Sequence, residues 1–168
     1  GIWFHTDAVQ AYAHVPIDVN ESGIDMMSAS GHKFGGPKGI GFLYIRSNVR
    51  IRAFIHGGAQ ERGRRAGTEN VPGIVGMGKA SELAMETIRE RAEREVELRE
   101  YLIERVMERI PYTRVNGHRT LRLPNNVSFA FQFIEGESLL IVLDSKGICA
   151  SSGSACSSGS LEPSHVLM

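Results

Sequence analysis

The sequence predicts an α/β protein: the later part of a large domain with a mostly parallel sheet, then the start of a small α/β C-terminal domain. Three observations predict it. Short apolar runs bounded by polar and Gly-rich stretches recur over the first 45 residues, as strands buried in a parallel sheet require. A long, highly charged segment with one apolar row follows from about Pro72. Beyond Pro111 a strand, a helix and a short strand succeed one another.

Each element has its own signal. Residues 2–6 read as a strand, with Ile2-Trp3-Phe4 as its buried interior, and residues 24–29 as a second. Gly35-Gly36-Pro37-Lys38-Gly39 is a turn, and residues 40–45 form a third strand. Residues 85–100 carry ten charges among sixteen, with Ile88, Ala92 and Val96 on one i, i+4 row and pairs such as Glu90–Arg94 and Glu95–Arg99 on the exposed face. This long helix is expected to link two lobes, which divides the chain into 1–71, 72–110 and 111–168. Leu123-Pro124-Asn125-Asn126 is a loop. Residues 127–133 alternate at period two, a strand with one buried face. Glu135 to Ser145 reads as a helix and Gly147 to Ala150 as a short strand. There is no internal repeat.

Composition narrows the function classes. Lys plus Arg and Asp plus Glu number 19 each, so the net charge is zero and a chain that coats nucleic acid is not expected. No run of 18 apolar residues exists, so neither is a membrane span. Gly1-Ile2-Trp3-Phe4-His5 has no basic n-region or apolar h-region. Cys149 and Cys156, seven apart, suit free thiols in the reducing cytoplasm. Ile2-Trp3-Phe4 resembles the inside of a strand, and the run after Pro163 a helix that never closes. The expectation is an interior slice of a longer protein.

Two places carry chemistry. Cys156 lies in Ala150 to Ser160, eleven residues of which six are Ser, two Gly and two Ala. Such a segment buries little and behaves as a tether, which lets a thiol pick up a group in one place and release it in another. A linker that happens to contain Cys is the alternative. Lys33 follows Ser28-Ala29-Ser30-Gly31-His32 where a strand meets a turn. A lysine held there can lose its proton and attack a carbonyl. Ser30, Gly31 and nearby amides can hold a phosphate. Asp7 ends another strand, with Gln10 three residues on, and ligands gather at the carboxyl ends of parallel strands. Lysine on an aldehyde, a phosphate nest and a carboxylate for a pyridinium nitrogen together suit pyridoxal phosphate. Taken singly, the lysine could be a surface residue and the aspartate a helix cap.

Four segments occur in one order: Phe4 to Gln10 (FHTDAVQ), Ser28 to Gly39 (SASGHKFGGPKG), His56 to Asn70 (HGGAQERGRRAGTEN) and Ser151 to Cys156 (SSGSAC). Together they resemble the cysteine desulfurases of the NifS/IscS type, pyridoxal-phosphate enzymes of the aspartate-aminotransferase fold (fold type I transferases). The resemblance runs along essentially the whole chain, and the Ser/Gly arm is similar to the group with the long mobile loop.

The resemblance implies roles residue by residue. Lys33 forms the link to the cofactor and moves protons at the substrate carbon; Asp7 pairs with the pyridine nitrogen; Gln10 bonds the ring oxygen; Ser30 and His32 hold the phosphate. Thr68 reaches the phosphate of the other subunit's cofactor, which implies a homodimer. Cys156 takes sulfur from L-cysteine as a persulfide, leaving alanine, and carries it to an acceptor such as an iron–sulfur scaffold protein, with which it can share a cluster as a transient ligand. The family's ring-stacking histidine lies upstream of Gly1 and its carboxylate-clamping arginine beyond Met168. Two alternatives remain: a related pyridoxal-phosphate lyase or aminotransferase, which needs no mobile thiol, and a non-catalytic piece that dimerises or docks an acceptor. Cys149 beside Ile148 reads as a structural buried thiol, and a Cys149–Cys156 zinc pair lacks a second ligand pair nearby. His14, His118 and His165 read as structural or surface residues, and Arg62, Arg64 and Arg65 as anion ligands or, better, a subunit contact.

Overall fold

The computed structural model describes residues 1–153, which form two compact units. The first is Gly1–Glu104 with Gly117–Val127; the second is Arg105–Asn116 with the residues from Ser128.

The first unit holds a three-stranded sheet of His5–Asp7 (β1), Met26–Ser30 (β2) and Gly41–Ile45 (β3), in the order β1-β2-β3. β1 and β2 are parallel, with His5 opposite Met26 and Asp7 opposite Ser28. β3 returns antiparallel, with Met26 opposite Ile45 and Ser30 opposite Gly41. The connection explains the reversal. Only residues 31–40 separate β2 from β3, and a parallel return takes a crossover of a dozen residues or more. The short 3-10 helix Gly31–Phe34 and the glycine turn after it suffice to bring the chain back.

Strand β1 begins later than the sequence suggests. Ile2, Trp3 and Phe4 are 98, 52 and 51 % exposed rather than buried. Among the described residues, β1 pairs with β2 alone.

Pairing sorts the strand residues onto two faces. Thr6, Met27, Ala29, Phe42 and Tyr44 share one; His5, Asp7, Met26, Ser28, Ser30, Leu43 and Ile45 share the other. The first face is the core side, where Met27 packs with Ala8 and Ile24 and is flanked by Tyr12, Phe42 and Tyr44. The second is mixed, with His5, Asp7, Ser28 and Ser30 beside Met26, Leu43 and Ile45. Arg46 closes the loop behind β2. Its Nη2 donates to the carbonyls of Val19 (2.7 Å) and Ile24 (2.8 Å), and its Nε lies 3.4 Å from the Asp25 carboxylate.

Four residues, Gln60–Gly63 (α1), form a short turn in which Glu61 and Arg62 take left-handed backbone angles. Val71–Arg109 (α2) is 39 residues long. Asn70 starts it: its side-chain oxygen accepts the Gly73 N–H at 3.1 Å. Pro72 occupies the first turn, where its missing donor costs nothing. The core-facing row of α2 runs through half-buried Met77 and Ala80 to buried Ala84 and Ile88. It begins upstream of the row expected from sequence, and Val96 at the end of that row is 36 % exposed.

The expected Glu95–Arg99 pair gives way to other partners. Buried Arg99 donates to the Leu123 carbonyl (3.0 Å) and pairs with Glu100 (2.8 Å). The Arg99 hydrogen bond, with Arg119 at 2.5 Å beside it, holds the Glu100 carboxyl below its ordinary pKa. Arg94 likewise bonds Glu97 at 2.7 Å rather than Glu90.

In the second unit, Thr113–Val115 (β4) pairs antiparallel with Phe129–Phe131 (β5), Arg114 opposite Ala130. Gly136–Ser145 (α3) is capped by Glu135, whose carboxylate accepts the Glu137 (2.8 Å) and Ser138 (2.6 Å) amides. Those backbone donors lower the Glu135 pKa. The strand expected at Gly147–Ala150 does not form. Gly147 takes a left-handed angle (φ 75°), and the Ile148 amide turns back to the Leu143 carbonyl at 3.0 Å. The segment is used to end α3, which leaves Cys149 exposed rather than buried. No helix among the described residues is long and apolar enough to cross a membrane.

Tyr12 joins several of these elements. Its ring meets Phe34 (5.1 Å between centroids) and Phe42 (4.9 Å) edge-on, and its hydroxyl lies 2.8 Å from Ser81 Oγ on α2. Tyr12→Ala is expected to cost about 3 kcal/mol in urea denaturation. Tyr12→Phe, which loses only the hydrogen bond, is expected to cost about 1 kcal/mol.

Candidate functional site

Parallel pairing brings the carboxyl ends of β1 and β2 to one edge of the sheet. Asp7 ends β1 and Ser30 ends β2, both on the face opposite Met27 and Ala29. The Ala8 amide donates to the Ser28 carbonyl at 2.9 Å, which ties the chain after Asp7 to β2. Asp7 Oδ1 accepts the Val9 N–H at 2.9 Å. The carboxylate thus caps the turn after β1, where Ala8 O accepts from Ala11 and Tyr12. Gln10 is exposed in that turn.

After β2 the chain winds directly into the 3-10 helix. Ser30 is its first flanking residue, and Ser30 Oγ lies 2.8 Å from His32 Nδ1. A hydroxyl and an imidazole are therefore joined beside the strand end. Lys33 is half-buried within the helix. Two bonds close its far side: the Gly35 and Gly36 amides both reach the Gly31 carbonyl, the second at 2.9 Å. Gly35 has φ 85°, which a side chain would strain. A Cβ on Gly36 would stand 2.9 Å from the Gly31 oxygen. The turn cannot be this tight with larger residues.

The structure thus brings Asp7, Ser30, His32 and Lys33 to one edge, with Gln10 on the turn that Asp7 caps. Thr68 is exposed in a different loop, two residues past Ala66. That loop is held by the Ala66 amide on Ile55 O (3.2 Å) and the Gly67 amide on Gln60 Oε1 (3.2 Å). Cys156 lies outside the described residues. Among the described residues, no group of three His, Cys, Asp or Glu side chains could hold a metal ion.

The donor set fits a phosphorylated pyridine aldehyde. It offers an amine, a carboxylate, and a hydroxyl–imidazole pair beside backbone brought close by glycines. Sequence reasoning did not pick out Tyr12, which grips Phe34 next to Lys33. The signal was present: one aromatic residue in a stretch of small ones, Ala8, Ala11 and Ala13.

Residues 1–168 match the model of the class-V aminotransferases. The chain belongs to that family. Class-V aminotransferases and their cysteine desulfurase relatives depend on pyridoxal phosphate. The cysteine desulfurase IscS of Methanosarcina thermophila is 63 % identical over 166 residues, 99 % of this chain and 41 % of the relative. IscS of Dictyoglomus turgidum is 57 % identical over 99 % of this chain and 42 % of its own length. The chain thus spans about two-fifths of these curated relatives. Among solved structures, a NifS-like protein superposes with a TM-score of 0.82 at 42 % identity, over 89 % of this chain and 40 % of that one. A NifS-like protein from Rickettsia africae gives 0.84 at 37 % identity, over 90 and 42 %.

Gly36→Ala tests the tightness of the lysine turn. It is expected to weaken retention of pyridoxal phosphate by roughly 10- to 100-fold, because a small displacement of a positioned group is costly. Gly78→Ala, whose Cβ would meet nothing within 4 Å, should leave it unchanged. Titration of the cofactor by visible absorbance measures both.

Proposed function

We propose that the protein is a cysteine desulfurase, converting L-cysteine to L-alanine and carrying the sulfur as a persulfide on Cys156. The observation that carries this reading is the parallel register of β1 and β2, with Asp7 opposite Ser28 and Lys33 three residues past the end of β2. The names of the relatives support the substrate.

In this reading Lys33 binds the cofactor aldehyde, Asp7 the pyridine nitrogen, Gln10 the ring oxygen, and Ser30 with His32 the phosphate. Thr68 reaches the phosphate held by the other subunit of a homodimer. Residues 1–71 then belong to the cofactor-binding domain, 72–110 to the linking helix and 111–168 to the small domain. Pyridoxal phosphate, when bound, supplies an electron sink for the substrate carbons. Asp7 as an anion favours a protonated pyridine nitrogen. Lys33, freed as an amine, moves the proton at the substrate α-carbon.

Cys156 acts as thiolate, the nucleophilic form. Its sulfur attacks the substrate sulfur, so an S–S bond forms as the C–S bond breaks. The electron pair stays on carbon, which takes a proton and leaves as alanine. The Ser/Gly arm then delivers the persulfide to an acceptor, such as an iron–sulfur scaffold protein, and Cys156 can transiently ligate a cluster shared with that scaffold. Free thiols suit the reducing cytoplasm for this chemistry.

In the full-length protein with an added thiol reductant, Cys156→Ser is expected to abolish sulfide release from cysteine and to leave the visible absorbance of bound pyridoxal phosphate intact. Unchanged turnover would overturn the reading.

A further inference from the structure

We propose that His14 is a positioning residue for Lys33. It fixes the backbone from which the lysine amine projects. The inference rests on the reading of Lys33 as the cofactor lysine.

His14 Nε2 lies 3.3 Å from the main-chain oxygen of Lys33. A carbonyl only accepts, so Nε2 carries the proton. The other ring nitrogen, Nδ1, lies 3.5 Å from Asn125 Nδ2, an amide donor. With the proton on Nε2, Nδ1 faces the Asn125 amide as an acceptor, in the longer of the two contacts.

The root of the imidazole is also fixed. Ala13, the preceding residue, is fully buried and packs with Phe34 and Ala84. Its φ of 65° is uncommon for a residue with a β-carbon, so packing holds it there. Arg91 Nη2 on α2 donates to the Ala13 carbonyl. The His14 amide donates to Ala11 O at 3.0 Å. His14 is thereby a strut from a rigid platform to the lysine turn. The Gly35 and Gly36 amides close the start of that turn at the Gly31 carbonyl; His14 holds it at Lys33 itself. Without the strut, the Lys33 carbonyl loses its imidazole partner and the peptide that carries the amine is held less firmly, by Phe34 and the Gly31 carbonyl alone among these contacts.

The test uses the full-length protein with His14→Leu, His14→Gln and Asn125→Ala. Hydrogen exchange of the segment 31–36 is followed without cofactor, and sulfide release from cysteine with it. In His14→Leu the segment should exchange several-fold faster, and kcat should fall roughly tenfold with KM within about twofold. His14→Gln, whose amide can donate to the same carbonyl, should recover most of both. Asn125→Ala should give a smaller change of the same sign in exchange.

Unaltered exchange in His14→Leu, or a glutamine variant as impaired as the leucine one, overturns the proposal. Should His14→Leu not fold, unaltered exchange in Asn125→Ala overturns it. Absence of sulfide release by the unmodified protein would refute the desulfurase reading instead, and the exchange comparison would still decide the role of His14.

Discussion

The structure around the site depends on the packing of one aromatic ring. Tyr12 sits in the turn after β1 and presents its ring to Phe34 and Phe42 and its hydroxyl to Ser81. Four segments distant in sequence therefore meet at one side chain: the β1 turn, the lysine turn, β3 and helix α2. Edge-to-face pairs add about 1 kcal/mol each beyond the area they bury. Three small residues, Ala8, Ala11 and Ala13, let the turn lie close to its neighbours; Ala8 and Ala13 are buried. Phe34 is adjacent to Lys33, so the ring that fixes Phe34 also limits where the lysine backbone can be.

The sheet adds direction to that anchorage. Parallel pairing aligns the carboxyl ends of β1 and β2, and alternation puts Asp7 and Ser30 on the same face. The apolar partners Met27 and Ala29 take the opposite, buried face. A single-residue slip of β2 would exchange these sets. Burial of Met27 therefore specifies where Ser30, and the turn after it, must lie. The same hydrophobic pattern that folds this unit aims its polar groups.

Much of this was legible in the sequence, and the losses have physical causes. The strands at 24–29 and 40–45 were readable because both are apolar runs closed by glycine turns. β1 was placed too early because Ile2-Trp3-Phe4 is apolar, whereas the ladder with β2 runs through His5–Asp7. The antiparallel return of β3 follows from the length of its connection, which composition does not reveal. Glu95 and Arg99 have ideal helical spacing, but the Leu123 carbonyl, 24 residues away, draws Arg99 off. Gly147–Ala150 was read as a strand around Ile148, a residue that favours one. The left-handed glycine instead serves to end α3. Asp7, Ser30, His32 and Lys33 were readable as a group because strand-end positions are local features. His14 was not, since its partners Lys33 and Asn125 are 19 and 111 residues away.

The central claim is that the turn after β2 exists to hold Lys33 at the end of the parallel pair. Lys38, five residues on, lies in the same glycine-rich connection but is exposed beyond the tight turn. Borohydride reduction of the full-length protein with pyridoxal phosphate, followed by peptide mapping, separates the two directly. The account predicts the pyridoxyl label on Lys33 alone. A label on Lys38, or none within residues 28–39, would contradict it.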